Sequence, residues 1–256
     1  MFPGGLAGAA LCAMRFSVAA MFLVDGSGRW ALVTSLWASL LFAVLSVLLC
    51  VGGGGAPAPE TLAKEPTVRD FDTQPSRRMH VSDALALASL TGVLQGHHKA
   101  YRFLNRASAT SFRDLQSGPF ILIGGLNNGW TRRLTGTLRF RLESGPDGAR
   151  VVDAQKPSGS EWKVVFDGPL AQLNRDYAIV SRLRDRSTEQ VAVIVAGIGS
   201  WGTLAAGEFV SNPEHLKKLD QFVHSSWWDK NLQAVIATDV IQGSSGPPNV
   251  LAVHVW

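Results

Sequence analysis

Two glycine-rich turns, each following an apolar run, carry the chemistry that this sequence could perform. The first is Gly197-Ile-Gly199-Ser-Trp-Gly202-Thr203, which follows the apolar run 191–196 and precedes a predicted helix. Glycines at such a junction allow a tight turn and let backbone N–H groups approach an anion at the N-terminus of the helix. The Gly-x-Gly-x-x-Gly spacing is that of a dinucleotide-binding turn, but it also occurs in purely structural turns.

Two features of the sequence disfavour a nicotinamide-type cofactor at this turn. A dinucleotide site places an acidic residue at the end of the next strand, roughly 20 residues after the glycines. Here the next acidic residue at a predicted strand end is Asp239, which lies much further along the chain, and only one more strand is predicted after it. The turn is therefore predicted to bind some other anionic ligand or to be structural, and no specific cofactor is identified.

The second glycine turn is Gly124-Gly125-Leu-Asn127-Asn128, which follows the fully apolar run 120–123. If the two preceding strands are parallel and central, both turns emerge at the same edge of the sheet, where open α/β sheets bind ligands. Polar side chains of the two turns could then share a ligand, although the Asn pair could instead cap the following helix. The candidate ligand-binding residues are Gly124, Gly125, Asn127, Asn128, Thr131, Gly197, Gly199, Ser200, Gly202 and Thr203.

Other kinds of site are not indicated. His215 and His224 lack the i, i+4 spacing of a zinc-binding helix, and both cysteines, Cys12 and Cys50, lie in the apolar N-terminal part. We find no nucleophile elbow, phosphate-binding P-loop, His-Glu-x-x-His or EF-hand motif. The 24 basic and 20 acidic residues form no basic run with interleaved aromatics, so no nucleic-acid surface is predicted. No metal is expected, no catalytic residue can be assigned, and binding is favoured over catalysis.

The N-terminal part, residues 1–51, is predicted to be a membrane anchor with helices over 6–24 and 30–51. The second run has no ionisable side chain except the thiol of Cys50, and as a helix it is long enough to cross a bilayer. The two runs form a transmembrane hairpin, or else the first lies at the interface and only the second crosses. A weak excess of positive charge after the second run places the rest of the chain in the cytoplasm, at the inner or plasma membrane.

Residues 52–79 are rich in glycine, proline and mixed charge, so they are predicted to be a flexible linker. Residues 80–256 alternate helical and strand patterns, which predicts a soluble α/β domain. We expect a three-layer α/β sandwich with a mixed sheet and antiparallel edge strands. The predicted helices cover 80–95, 108–115, 130–134, 204–210 and 213–224, and the strands cover 101–104, 120–123, 138–142, 150–154, 162–166, 177–183, 191–196, 232–238 and 250–256. Ser82 is the predicted N-cap of the first helix, and Ser111 and Asp114 have the spacing of a capping box in the second.

Three segments, 118–131, 138–141 and 195–209, resemble a domain found at the C-terminus of uncharacterised bacterial proteins, after membrane spans or a regulatory module. The resemblance covers residues 80–256, implies a sensory or regulatory module and carries no catalytic residue. The expected function is thus a membrane-anchored sensory domain that binds a small anionic ligand at the two glycine turns. The alternatives are a tethered nucleotide- or sugar-processing hydrolase that uses the same cleft, which a carboxylate or histidine there would favour, and a structural partner-binding module.

Overall fold

The computed structural model describes residues 46–53, 79–104, 110–156, 162–223, 227 and 230–256. These residues form a mixed α/β fold with one mixed sheet and one antiparallel sheet. In chain order the elements are β1 (Val47–Val51), α1 (Val81–Gly96), β2 (Tyr101–Leu104), α2 (Phe112–Gln116), β3 (Phe120–Ile123), α3 (Gly129–Thr135), β4 (Phe140–Gly145), β5 (Gly148–Asp153), β6 (Lys163–Val165), β7 (Arg175–Arg184), β8 (Val191–Gly197), α4 (Ser200–Ser211), α5 (Pro213–Leu216), β9 (Leu232–Ile241), β10 (Ser244–Ser245) and β11 (Asn249–Val255), with 3-10 turns at Leu170–Gln172 and Lys217–Gln221.

The main sheet joins a parallel half to an antiparallel half. Strands β2, β1, β3 and β8 lie side by side in that order and are parallel. Strands β7 and β9 continue the sheet in antiparallel fashion, and β11 pairs with β9. The predicted mixed sheet is therefore confirmed, with antiparallel strands at one edge only, because the opposite edge strand β2 is parallel to its neighbour.

Helices cover both faces of this sheet. On one face α1 and α4 pack against alternate residues of the central strands, and Leu90 and Phe209 are fully buried there. On the other face lie α2, α3 and the small antiparallel sheet β4–β5–β6. Strands β1, β3 and β8 are apolar along their length because both of their faces are buried.

Several local predictions are confirmed by the hydrogen bonds at helix ends. Ser111 and Asp114 form the predicted capping box of α2. The Asn128 side chain caps α3, which was one of the two interpretations of the Asn pair. Two predictions are wrong in detail: His80, not Ser82, occupies the N-cap position of α1, and the helix predicted over 213–224 is the short α5 followed by a 3-10 turn.

Strand β1 corrects the predicted membrane anchor. Residues 47–51 were interpreted as the end of a transmembrane helix over 30–51, but they form a fully buried strand between β2 and β3. The five residues 47–51 are apolar in a bilayer helix and in a doubly buried strand alike, so their composition could not separate the two. Residues 6–24 and 30–45 lie outside the described residues. In the part of the chain that the structure describes, no helix combines the length and apolar character needed to cross a bilayer.

The same strand moves the boundary of the α/β domain, which was predicted to begin at residue 80. With β1 inside the main sheet, the domain begins no later than Val47. The segment 52–79 thus connects β1 to α1 within one β–α–β unit, instead of linking an anchor to a separate domain. Its residues 54–78 lie outside the described residues.

Candidate functional site

The two glycine turns lie side by side at one edge of the main sheet. Strands β3 and β8 pair in parallel with Ile123 beside Val195, so the turns that follow them leave the sheet together. A Cβ atom added to Gly125 would lie 2.1 Å from the carbonyl oxygen of Gly197, which means that the two backbones touch. Strand β1 ends at the same edge, where Val51 pairs with Ile123. The geometric condition on which the predicted site depended is therefore met.

A cleft of about 220 Å³ opens between the two turns and the first turn of α1. Six of the ten predicted ligand-binding residues line it: Gly125, Asn127, Gly197, Gly199, Ser200 and Thr203. The other four, Gly124, Asn128, Thr131 and Gly202, do not. The ten predicted residues thus divide into six that line the cleft and four that do not.

Asn128 and Thr131 are structural residues of the second turn. The Asn128 Oδ1 atom accepts hydrogen bonds from the N–H groups of Trp130 and Thr131, and its Nδ2 atom donates to the carbonyl oxygens of Cys50 and Ile123. The Thr131 hydroxyl donates to the carbonyl oxygen of Gly124 at 2.9 Å. Both side chains are buried and fully engaged, so neither is free to bind a ligand.

The N-terminus of α4 already holds a carboxylate from the protein itself. Asp176, which is fully buried, accepts hydrogen bonds from the N–H groups of Gly199 at 3.1 Å and Gly202 at 2.7 Å. Burial raises the pKa of Asp176, and hydrogen bonds from backbone N–H groups lower it. The groups that the Gly-x-Gly-x-x-Gly pattern was expected to offer to an external anion are therefore occupied.

The glycines of this turn are explained by close packing. A Cβ atom at Gly202 would lie 2.4 Å from the carbonyl oxygen of Tyr177, and one at Gly199 would lie 2.6 Å from Oδ2 of Asp176. Such distances leave no room for a side chain without movement of the neighbouring strand β7. The structural interpretation of the turn thus accounts for its residues, and no cofactor is needed to explain the spacing.

The cleft contains one carboxylate that the sequence analysis missed. Asp83 lies in the first turn of α1, is only 2 % exposed and lines the cleft. Its Oδ2 atom accepts a hydrogen bond from Nδ2 of Asn127 at 2.8 Å. Burial raises the pKa of Asp83, while the bond from Asn127 and the charge of His80 lower it. An acidic residue in a first helical turn was the only available signal, and it is too common to identify a site.

The polar groups that face the cleft are mainly hydrogen-bond acceptors and hydroxyl groups. The side chains of Ser82, Asp83, Asn127, Ser200 and Thr203 supply them, and His80 also lines the cleft. Among the described residues, those that line the cleft include neither lysine nor arginine. In the same part of the chain, no three His, Cys, Asp or Glu side chains converge as a metal site requires. This arrangement suits a ligand that donates hydrogen bonds better than one that carries phosphate.

Comparison with known proteins adds no family. No protein-family model matches the chain, and no curated protein matches it either. The resemblance of residues 80–256 to a C-terminal domain of uncharacterised bacterial proteins therefore stays a prediction, and any function has to be argued from the geometry of the site.

Proposed function

We propose that this domain binds a small polar ligand in the cleft between its two glycine turns, and that Asp83 accepts hydrogen bonds from hydroxyl or amine groups of that ligand. The observation that carries the proposal is a buried carboxylate at the wall of an open cleft. A buried charge is costly unless it is paired, and Asn127 provides a single hydrogen bond. Ligand donors at the same carboxylate would offset part of that cost.

The position of the cleft supports ligand binding. In an open α/β sheet, ligands bind beyond the carboxyl ends of the strands at the point where the strand order reverses. Here β1 is flanked by β2 on one side and β3 on the other, so the order reverses at β1. Asp83 follows β1 along the chain and Asn127 follows β3. Their hydrogen bond therefore bridges that point.

The proposed ligand differs from the anionic one expected from the sequence. Asp176 occupies the amides at the start of α4, and a second carboxylate, Asp83, lines the cleft. Both would repel a phosphate or carboxylate group. A sensory or regulatory role, implied by the resemblance, fits reversible binding of this kind. Attachment to the inner or plasma membrane, with the domain in the cytoplasm, stays a prediction that depends on residues 6–24 and 30–45.

A second candidate function is a hydrolase that uses the same cleft. It is favoured by one observation: Asp83 and His80 both line the cleft. A carboxyl group whose pKa is raised by burial can serve as a general acid or base, and such groups are common in active sites. Binding is the better supported function, because none of the described hydroxyl groups that line the cleft is hydrogen-bonded to a carboxylate or a histidine.

The proposal is tested by thermal-shift screening of the full-length chain, followed by titration calorimetry. The panel contains neutral mono- and disaccharides and primary amines on one side, and phosphate, sulfate and nucleotides on the other. We expect stabilisation by a member of the first group, and Asp83→Asn should weaken its binding by about tenfold or more, the effect of losing a charged hydrogen bond.

Glu214→Gln is the matched control, because it removes an exposed first-turn carboxylate from α5 and should leave affinity unchanged. Stabilisation by anions alone would contradict the proposal, as would an Asp83→Asn variant that binds normally. Turnover of a bound disaccharide or nucleotide, lost in Asp83→Asn, would favour the hydrolase.

A further inference from the structure

A second and larger cavity runs along the open edge of the small sheet. This groove has a volume of about 870 Å³ and lies between β6 and the start of α4. Four consecutive residues, 163–166, form one wall, and Arg175 and Trp201 belong to the other. Side chains of a strand alternate between its two faces, so a run of consecutive lining residues means that the groove follows the edge of the strand.

In the described part of the chain, the backbone at this edge has hydrogen-bonding groups that no other strand uses. The carbonyl oxygen of Trp162 accepts a hydrogen bond from the N–H of Val151, and the N–H of Phe166 donates to the carbonyl oxygen of Asp147. The backbone polar groups of Trp162 and Phe166 therefore point towards β5. Hydrogen bonding alternates along an antiparallel pair. The N–H and C=O groups of Lys163 and Val165 therefore point away from β5. Within the described residues β6 is the end strand of its sheet, and these groups face the groove.

Exposed apolar side chains cluster beside this edge. Val165 and Phe166 are each 51 % exposed, and Leu170 is 64 % exposed. All three line the groove. Apolar surface that is grouped in a groove and bordered by polar groups is typical of a site for a protein partner.

The charges of the groove indicate which partner fits. Lys163, Arg175 and Asp239 are the charged residues among those described that line it, and Arg175 is paired with Asp239 at 2.7 Å. Lys163 is held less closely, 3.8 Å from Asp147, and leaves the groove with a net positive charge. Two copies of β6 placed edge to edge would bring two such lysines together. The charge thus favours an acidic segment of a different chain over a second copy of this one.

We propose that the groove binds an extended polypeptide segment with apolar side chains and at least one acidic side chain, and that this segment adds to β6 as a further strand. In strand addition, main-chain hydrogen bonds supply affinity and side-chain pockets supply specificity. The peptide groups of Lys163 and Val165 would form the main-chain hydrogen bonds. The side chains of Val165 and Leu170 would contact the side chains of the segment and supply specificity. Neither Leu170 nor Val165 lines the ligand cleft, so this site is tested separately.

The experiment uses acetylated, amidated octapeptides in which apolar and polar residues alternate, with one glutamate each, screened against the full-length chain. We expect binders with Kd of about 100 µM or tighter. In the best binder, N-methylation of one alternate set of amides should abolish binding, because these amides face β6, while methylation of the other set should be tolerated. A site that contacts only the side chains of the peptide would not distinguish the two sets of methylated amides.

Variants of the chain provide the complementary test. Val165→Pro removes a single N–H that points into the groove, and proline is tolerated on an edge strand when its nitrogen faces outward. Val165→Pro and Leu170→Ala should each weaken binding by about tenfold. Phe103→Ala is the matched control, because Phe103 is also 51 % exposed but lies on edge strand β2 of the other sheet.

Three results would overturn the proposal: no peptide that binds more tightly than about 1 mM, equal tolerance of both methylation patterns, or a folded Val165→Pro variant with unchanged affinity. Binding of an oligosaccharide in the groove, with no peptide binding, would overturn it as well. If Val165→Pro does not fold, binding of the methylated peptides to the unaltered chain tests the proposal instead.

Discussion

Replacing Asp176 by alanine should turn the start of α4 from a filled anion site into an empty one. In the native protein its carboxylate accepts hydrogen bonds from Gly199 at 3.1 Å and Gly202 at 2.7 Å, and from Tyr177 at 2.7 Å. Alanine leaves these three N–H groups without their acceptor. The cavity that results has the size of a carboxylate and the electrostatics of a helix N-terminus, which favours a small anion.

The size of the effect follows from burial. An unpaired buried donor costs about 1–3 kcal/mol, and Gly202 is buried, whereas Gly199 is reached by water from the cleft. The substitution also removes the cost of burying a charge, which offsets part of the loss. We therefore expect the free energy of unfolding to fall by about 2 kcal/mol. An added anion that enters the empty site should restore part of the lost free energy of unfolding, about 1.4 kcal/mol when its concentration is ten times its Kd.

The assay is chemical denaturation of the full-length chain with and without 100 mM acetate or formate, at constant ionic strength set with chloride. The Asp176→Ala variant should be stabilised by acetate, and the native protein should not. Asp239→Ala is the control, because it removes an exposed carboxylate paired with Arg175 and should change stability by no more than about 1 kcal/mol, without rescue. A variant as stable as the native protein, or equal stabilisation of both by acetate, would refute the reasoning.

Three further predictions concern a wall of the site, the contact between the small sheet and the main sheet, and the charge of the site. Gly125→Ala should lower the free energy of unfolding by more than about 2 kcal/mol, since its Cβ would lie 2.1 Å from a carbonyl oxygen. Gly129→Ala should be neutral or stabilising in urea melts, because among the described residues no atom outside its own helix and its chain neighbours lies within 4 Å of the added Cβ. Gln233→Leu should cost about 2–4 kcal/mol, because the buried amide bonds to both the N–H and the C=O of Phe140, and differential scanning calorimetry measures the loss. Because the folded pKa values of Asp83 and Asp176 are both raised by burial, the native protein should lose stability as the pH rises from about 4 through those values. Urea melts across this pH range should show a smaller loss for Asp83→Asn, in which only the contribution of Asp176 remains.

Local interactions explain why part of the fold could be predicted from the sequence. The capping box needs only Ser111 and Asp114, three residues apart, and the structure contains both of its hydrogen bonds. The run 120–123 is apolar throughout, which predicts a strand buried on both faces, and β3 is such a strand. The β7–β8 hairpin is likewise set by two neighbouring apolar runs and the polar turn between them. In each case the residues that decide the structure lie next to one another in the chain.

The contents of the site could not be predicted, because they depend on contacts between distant residues. Asp176 reaches Gly199 across 23 positions, and Asp83 reaches Asn127 across 44. A glycine turn before a helix is equally consistent with an empty anion site and with one filled by a neighbouring strand. Only the pairing of β7 with β8 places Asp176 under the turn, and only the insertion of β1 brings α1 and its Asp83 to the edge of the sheet.

Strand β1 could have been recognised by the rule that located the two glycine turns. The parallel strands β1, β3 and β8 share one pattern, an apolar run that ends in glycine, and Gly52 stands after β1 as Gly124 stands after β3. Gly52 is needed there, because its Cβ would lie 2.6 Å from Nδ2 of Asn127, the atom that bonds to Asp83. A glycine interpreted as the start of a linker thus packs against Asn127, which lines the cleft. The length and apolar character of the run 30–51 favoured a membrane helix. The strand–glycine pattern, which occurs three times in the chain, instead indicated a strand of the parallel sheet.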